Sequence, residues 1–320
     1  MFGLTFLSAT SKTTTHRVVP FRMGRLLSGV AGYVAGGSDS GGKVSGIDKV
    51  SFPADSKTTL AATLTSGREG AAGFANSGVA GYVAGGTTGS FVSGIDKVSF
   101  PADSKTTLSA TLTTGRGYVA GFANSGVAGY VAGGYDGSYL SGIDKVAFPT
   151  DSKTTLSATL TTARYGTAGF ANSGVAGYVA GGDGGSYLSG IDKVTFPTDS
   201  KSTLSATLTS TRDAAAGFAN SGVAGYVAGG YNGSYISGID KVAFPADTKT
   251  TLAATLTSAR LGAAGFANSG VAGYAAGGTT GSYISGIDKV TFPADTKTTL
   301  SATLTTARVY VAGFADSGTL

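Results

Sequence analysis

The sequence is poor in the residues on which most catalytic and metal centres depend. Its 320 residues include no cysteine, no tryptophan, a single histidine and only 13% charged side chains. Without cysteine the chain forms no disulfide and offers no thiolate to a metal or to a nucleophilic mechanism. The lone His16 excludes a histidine-rich metal cluster and most histidine-based acid–base chemistry. These absences argue against an enzyme, and we predict no cofactor and no metal site.

Glycine, by contrast, is abundant, at 53 residues, and 41% of the chain is hydrophobic. This composition is too apolar for a disordered chain, and the glycines lack the triplet spacing of collagen. Internal repetition explains the excess. The segment Gly-Tyr-Val-Ala-Gly-Gly, with one Val-to-Ala change in the last copy, recurs every 48 residues after a first interval of 49, and its tyrosines are Tyr33, Tyr82, Tyr130, Tyr178, Tyr226 and Tyr274. Six copies fill residues 30–320, and residues 1–29 are predicted to form a separate non-repeat arm.

Each copy predicts four short antiparallel strands. In the copy that ends at Arg212, the predicted strands span 166–172, 175–180, 187–196 and 201–211. Alternation of apolar and β-branched residues is typical of strands, and the Gly, Pro, Asp and Ser clusters between the runs are typical of turns. Four strands in about 40–50 residues is the period of a β-propeller blade. We therefore predict an all-β, six-bladed β-propeller.

The two ends of the repeat region predict how the ring closes. The chain enters at 30–37 with a second strand and finishes at 309–316 with a first strand that has no partner after it. Pairing of these segments would complete one blade from the N-terminal and C-terminal strands. An open solenoid is the alternative, but it would leave two apolar terminal faces without a capping unit.

The repeated motif resembles the kelch repeat. Tyr178 comes just before the double glycine 181–182, Asp192 supplies a later acidic residue, and Arg212 closes the unit. The tryptophan of kelch repeats is absent, and Ile191 stands where the family has an aromatic residue. The resemblance implies a propeller closed by its terminal strands. Copper oxidases occur among kelch-like propellers, but this chain lacks the cysteine and histidines that their copper site needs.

Comparison of the six copies separates uniform turns from variable loops. The Asn-Ser-Gly and Phe-Pro-x-Asp turns are nearly constant, whereas the loop after the double glycine and the junction after the arginine vary. Because antiparallel strands alternate in direction, the two variable segments should share one face of the ring. Binding function commonly lies on loops held by a rigid scaffold. The predicted partner-binding residues on this face are Tyr118, Tyr135, Asp136, Tyr165, Asp183, Asp213, Tyr231 and Asn232.

Aromatic rings beside hydrogen-bonding groups suit a sugar ring or a protein partner. The alternative is that loop variation is drift. A further aromatic position flanks the same loops, and it could instead fill gaps between blades: Phe91, Tyr139, Tyr187, Tyr235 and Tyr283. The acids of the third strands could ligate calcium, but we favour pairing with arginine or capping of backbone N–H groups: Asp48, Asp96, Asp144, Asp192, Asp240 and Asp288.

The net charge of +5 does not indicate a nucleic-acid surface. Each copy repeats two lysines, one arginine and two aspartates, so the charge is spread around the ring rather than gathered in a stripe. We therefore expect no nucleic-acid partner. No segment approaches the roughly 20 apolar residues of a membrane helix, and residues 1–28 reverse the order of basic and apolar regions found in a secretory signal.

The repeats also look similar to those of phage virion and bacterial surface proteins. We expect a non-enzymatic structural or adhesive propeller on a virion or extracellular surface, most specifically a phage appendage or decoration protein. Its variable face would bind a host-surface glycan or another virion protein, and its N-terminal arm would attach it to other proteins of the assembly. Self-association is a further candidate, and insertion into a membrane is not expected. The alternative is an intracellular kelch-like interaction module.

Overall fold

Residues 30–316 form a ring of six four-stranded antiparallel sheets in the computed structural model, which describes this part of the chain. The predicted six-bladed β-propeller is confirmed. In each blade the strands follow one another outward from the axis, and the first strands of neighbouring blades contact each other around that axis. The predicted arm at 1–29 lies outside the described residues.

The strands recur with nearly constant bounds. Blade 1 contains β1 (Ala31–Ala35), β4 (Ile47–Ser51), β5 (Ser56–Thr59) and, innermost, β26 (Ala312–Ala315), with a hairpin of β2 (Ser38–Asp39) and β3 (Gly42–Lys43) in its variable loop. Blade 2 contains β6 (Ala72–Asn76), β7 (Ala80–Ala84), β8 (Ile95–Ser99) and β9 (Ser104–Thr107), and blade 3 contains β10 (Ala120–Asn124), β11 (Ala128–Ala132), β12 (Ile143–Ala147) and β13 (Ser152–Thr155). Blade 4 contains β14 (Ala168–Asn172), β15 (Ala176–Ala180), β16 (Ile191–Thr195) and β17 (Ser200–Thr203). Blade 5 contains β18 (Ala216–Asn220), β19 (Ala224–Ala228), β20 (Gly238–Ala243) and β21 (Thr248–Thr255), and blade 6 contains β22 (Ala264–Asn268), β23 (Ala272–Ala276), β24 (Gly286–Thr291) and β25 (Thr296–Thr303).

The ring closes as the sequence predicts. The C-terminal strand β26 pairs with the N-terminal strand β1, with Gly32 opposite Ala315 and Ala35 opposite Ala312. Blade 1 is thus built from both ends of the repeat region, and its closure needs no separate capping element.

Aromatic side chains fill the space between blades. The ring of Tyr178 on the second strand stacks on Phe170 of the first strand, with centroids 5.1 Å apart. Phe244 of the next blade stacks on the same tyrosine at 5.1 Å. All three rings are buried, and the arrangement recurs around the ring. Stacked rings of this kind stabilise a core beyond the apolar area that they bury.

Glycine is required where the blades approach most closely. A Cβ on Gly169 would lie 2.3 Å from the carbonyl oxygen of Gly121 in the preceding blade. A Cβ on Gly177 would lie 2.0 Å from Cδ2 of Phe122. No side chain fits at either position, because the inner strands meet at backbone distance and the interblade rings press on the second strand. This close packing accounts for much of the glycine content.

The predicted outer strand 201–211 is too long. In blade 4 the regular strand ends at Thr203. The rest of the segment keeps only scattered backbone bonds to its own blade, such as Leu204 N–H to the carbonyl of Ile191 at 2.9 Å, and it also contacts the next blade. Thr209 donates through its backbone N–H and its hydroxyl to the carboxylate of Asp240, at 3.0 and 2.6 Å. Thr209 therefore serves an interblade contact rather than a regular strand. The equivalent outer strands of blades 5 and 6, β21 and β25, do reach eight residues.

The repeated acids of the third strands are buried and paired with arginine. Asp192 accepts hydrogen bonds from the N–H and hydroxyl of Thr161, from the hydroxyl of Thr203 and from Nη2 of Arg164, the last at 3.0 Å. Burial alone would raise the pKa of Asp192, but the hydrogen bonds from Thr203 and Thr161 and the charge of Arg164 outweigh it and lower the pKa below its usual value. These aspartates connect neighbouring blades, and the pairing with arginine that the sequence analysis favours is confirmed.

The uniform face, which carries the turns after the first and third strands, is also occupied by interblade bonds. The side chain of Asn172 accepts a hydrogen bond from the backbone N–H of Gly222 in the next blade, at 3.0 Å. Asp199 accepts from the hydroxyl of Tyr130 at 2.7 Å and from Nζ of Lys145 at 2.6 Å, both in the preceding blade. The turns keep the same sequence in every copy because each makes hydrogen bonds to an adjacent blade.

Candidate binding face

The two variable segments lie side by side, as predicted, and form what we call the variable face. The residue after each arginine makes an isolated β-bridge with the loop that follows the double glycine of the blade beginning at that point. Two of these bridges join predicted site residues to each other: Tyr165 with Asp183, and Asp213 with Tyr231. A third joins Gly117 to Tyr135.

Three of the predicted tyrosines belong to one continuous group of rings. The ring of Tyr165 lies 5.7 Å from that of Tyr135 and 5.8 Å from that of Tyr118. Tyr139 stacks on Tyr165 at 5.8 Å, with its plane tilted by only 5°. We call the whole group the main aromatic cluster; its members are Phe91, Tyr118, Tyr135, Tyr139, Tyr165 and Tyr310.

The fourth predicted tyrosine lies in a separate, smaller group. Tyr231 contacts Tyr187 at 5.9 Å and Tyr235 at 5.2 Å. The recurring aromatic position therefore does join neighbouring blades, because Tyr187 meets a ring of the next blade. It also contributes surface, since Tyr139 and Tyr283 are 40% and 42% exposed.

The axis of the ring ends in a small mouth on this face. Six residues in left-handed conformation surround it, and each N–H donates to the carbonyl of the preceding member: Gly70, Tyr118, Gly166, Ala214, Gly262 and Tyr310. They frame a cavity of about 80 Å³. Tyr118 and Tyr310 pack together at 5.0 Å on one side of the mouth, and only small residues frame the other side. The participation of Tyr310 was missed by sequence reasoning, although its equivalence to Tyr118 in the repeat could have indicated it.

Three of the four predicted polar residues stabilise their own loops. Asp136 and Asn232 are exposed, and each side chain accepts a hydrogen bond from the backbone N–H two residues further on, at 3.1 and 3.4 Å. Asp183 makes the same type of bond at 2.7 Å. Such turns stabilise a loop locally and place no demand on a neighbouring blade.

Asp213 is different, because one of its carboxylate oxygens is buried without a hydrogen bond. Its side chain belongs to a residue that is only 8% exposed, and its Oδ1 accepts no hydrogen bond. Burial and, secondarily, the negative charge of Asp183 raise the pKa of Asp213 to about 6. Burial and these two carboxylates likewise raise the pKa of Tyr165 to about 12. By contrast, Glu69 on the same face forms an ion pair with Lys43.

Neither a metal centre nor a membrane span is found in the described part of the chain. Residues 30–316 contain no group of three or more side chains that could hold a metal ion. No helix of membrane-spanning length and apolarity occurs among them. Comparison with known proteins found no matching family model and no similar curated protein.

Proposed function

We propose that this protein is a non-enzymatic binding propeller, structural or adhesive in role, that recognises a glycan through the main aromatic cluster of its variable face. The observation that carries the proposal is the continuity of that cluster. Its rings come from neighbouring blades and still form one surface, of which Tyr139 is 40% exposed. Flat aromatic surfaces bind sugar rings or protein partners with little loss of side-chain entropy.

The distribution of polar contacts supports the same proposal. On the uniform face, Asn172 and Asp199 bond to neighbouring blades and have little left to offer a partner. On the variable face, Asp136 and Asn232 bond only within their own exposed loops. Sequence change is therefore inexpensive on the variable face, where new ligand contacts can be formed without weakening the ring.

The terminal strands of the described ring indicate how the propeller would be oriented on a larger assembly. Strand β1 begins at Ala31 and β26 ends at Ala315, and both points lie at the uniform-face ends of their strands. An assembly held through residues 1–29 would thus be approached from the uniform face, leaving the variable face directed outward. This polarity suits a virion appendage or extracellular surface protein, and the resemblance to kelch-like repeats of such proteins points the same way.

A matched pair of variants tests the proposal. Tyr139 and Tyr283 occupy the same repeat position with similar exposure, but only Tyr139 belongs to the main aromatic cluster. After a glycan array has identified a ligand, Tyr139→Ala should weaken its binding by about tenfold or more, as loss of a central aromatic contact does. Tyr283→Ala should leave the Kd within about twofold. Calorimetry on both variants gives the comparison.

Two results would overturn the proposal. One is an array without any binder, combined with purified protein that binds no glycan-bearing surface. The other is a Kd that Tyr139→Ala and Tyr135→Ala leave unchanged.

A further inference from the structure

The axial mouth on the variable face opens into a pocket that follows the axis of the ring. Behind the outer cavity lies a second chamber, also of about 80 Å³, and the two share the residues just before the first strands, among them Val119, Thr167 and Val311. Gly169 lines the inner chamber and is half-buried, whereas Ala171, two residues further along β14, is fully buried. The equivalents of Ala171 in the other blades are at most 2% exposed. The pocket is therefore closed toward the uniform face and is entered from the mouth.

The wall of this axial pocket consists of strand edges. The first strand is the last member of each sheet, so within residues 30–316 no strand pairs with its axis-facing side. Along an antiparallel strand, successive residues bond to opposite sides. On the second strand of blade 4, the N–H of Gly181 donates outward to Gly190, so the other parity, which includes Tyr178, bonds inward to Phe170. The N–H and C=O of Gly169 are thereby directed toward the axis, and six such edges supply both hydrogen-bond donors and acceptors.

Two tyrosines at the mouth occupy backbone positions that favour glycine. Tyr118 and Tyr310 have φ values of +56° and +54°, and three of the four equivalent residues are glycine. A bulky side chain in this region strains the backbone. Strain of this kind is concentrated at functional sites. The ring of hydrogen bonds around the mouth could be formed by glycine alone, so the tyrosines point to a role beyond the fold.

The two tyrosine rings leave the mouth open on one side. Each ring extends over the preceding member of the mouth. A Cβ on Gly70 would lie 2.9 Å from Cδ1 of Tyr118, and the same contact at Tyr310 is 3.2 Å. The glycines under both rings are buried, whereas Gly166 and Ala214 are half-buried. Access to the pocket is therefore greatest over Gly166 and Ala214.

The lining of the axial pocket matches a neutral, hydroxyl-rich group. The residues that line the two chambers are all uncharged. A hydroxyl both donates and accepts a hydrogen bond, so it can bond to the N–H and to the C=O groups of the strand edges. An ion of either sign would be matched by only one of the two kinds of group. The outer chamber has room for on the order of six water molecules, which is the space of one sugar ring rather than of a chain.

We propose that the axial pocket receives the terminal sugar of the glycan, so that the propeller recognises the free end of a chain. Tyr118 and Tyr310 provide apolar ring surface beside that sugar, and edge groups such as those of Gly169 provide its hydrogen bonds. Tyr165 directly precedes Gly166, so the sugars behind the end lie against the main aromatic cluster. This inference rests on the proposed glycan-binding function and specifies which part of the ligand is recognised.

The test closes the mouth with a residue that the ring already accepts. Ala214 has a φ of +49°, close to those of Tyr118 and Tyr310 at equivalent positions. Ala214→Tyr should therefore fold and place a third ring over Gly166, as Tyr118 lies over Gly70. Ala214→Gly is the matched control, because glycine suits the same backbone conformation and leaves the mouth open.

Four neutral monosaccharides serve as probes: D-glucose, D-galactose, D-mannose and L-rhamnose. Because the chain has no tryptophan, its fluorescence reports on tyrosine, including the two at the mouth. At least one of the four sugars should bind the wild-type protein. Ala214→Tyr should weaken that binding by about tenfold or more, and Ala214→Gly should leave the Kd within about twofold. In NMR spectra of the wild-type protein, the bound sugar should shift the amide signals of Thr167 and Gly169, and this readout depends on neither variant.

The outcomes separate this inference from the proposed function. The axial pocket is overturned if the wild-type protein binds none of the four sugars, if Ala214→Tyr and Ala214→Gly bind them equally, or if binding leaves the amide signals of Thr167 and Gly169 unmoved. If a glycan from the array still bound and Tyr139→Ala weakened it, the proposed function would stand alone, with the glycan lying along the main aromatic cluster. Shifts of the same amide signals with sodium chloride but not with sugar would assign the pocket to an ion and overturn this inference as well.

Discussion

The two faces of the ring use polar side chains in opposite ways. On the uniform face, an asparagine such as Asn172 and an aspartate such as Asp199 bond to another blade. On the variable face, the same residue types at Asn232 and Asp183 bond to their own loops. A residue needed by a neighbour is repeated in every copy, because its loss weakens a boundary between blades. A residue that serves only its own loop is free to change.

The largest effect expected from this difference concerns two aspartates. Asp199→Ala removes the acceptor for Tyr130 and Lys145, and it places alanine at a φ of +54°. We expect the free energy of unfolding to fall by about 3 kcal/mol. The matched change Asp183→Ala on the variable face should lower it by less than about 1 kcal/mol. Urea unfolding measures both, and equal losses would show that the two faces do not differ in this way.

A smaller effect of opposite sign is expected at Asp213. In the folded protein its pKa is about 6, above the ordinary value of 3.8. The folded state therefore binds the proton more tightly than the unfolded chain, and the free energy of unfolding falls as pH rises from about 4 to about 6. A pKa difference of about two units corresponds to a loss of about 3 kcal/mol in the free energy of unfolding. The buried amide of the Asp213→Asn variant has a smaller burial cost of its own, which offsets part of the gain. Asp213→Asn should therefore stabilise the protein by about 2 kcal/mol at pH 7 and have little effect at pH 4.

The groups that face Asp213 define the control for that measurement. They are Asp183, whose charge adds to the rise in pKa, and the tyrosines Tyr165, Tyr187 and Tyr310, which remain neutral through this range. Asp136→Asn, at an exposed tip, should leave the pH dependence of stability unchanged. A wild-type stability that rises from pH 4 to pH 6 relative to Asp213→Asn would contradict the raised pKa of the buried Asp213 carboxylate.

The smallest effect distinguishes two asparagines. Asn172→Ala removes the acceptor for the N–H of Gly222 and should cost about 1 kcal/mol. Asn232→Ala removes a longer bond at an exposed tip and should stay within about 0.5 kcal/mol. Thermal unfolding gives the difference. Hydrogen exchange at Gly222 should accelerate only in Asn172→Ala, and an unchanged rate there would contradict the interblade bond.

Much of the fold could be predicted because its signals are local and repeated. Strand alternation, glycine turns and a 48-residue period follow directly from the sequence, and the pairing of 30–37 with 309–316 follows from counting the copies. The outer strand 201–211 could not be delimited in this way. Thr209 has the pattern of a strand residue, but it bonds to Asp240 of the next blade, and no local pattern distinguishes the two.

The sequence predicted many of the residues of the candidate site, but not how their side chains are grouped. Tyr118, Tyr135 and Tyr165 were named from loop variation and do meet in one cluster, whereas Tyr231 lies in another. Tyr310 was missed although it is the repeat equivalent of Tyr118, because loop variation alone does not show that its ring packs on that tyrosine at the axial mouth. The role of each predicted residue in binding remains a prediction.

The sequence by itself determined the number of blades, the way the ring closes and the division into a uniform and a variable face, because each depends on short segments that repeat. Tertiary structure alone decided which side chains lack a partner. Asp183, Asp199 and Asp213 are the same residue type, yet one bonds within its loop, one joins two blades and one has a buried oxygen without a donor. That difference arises from the close approach of neighbouring blades, which sets the solvent and the donors around each carboxylate.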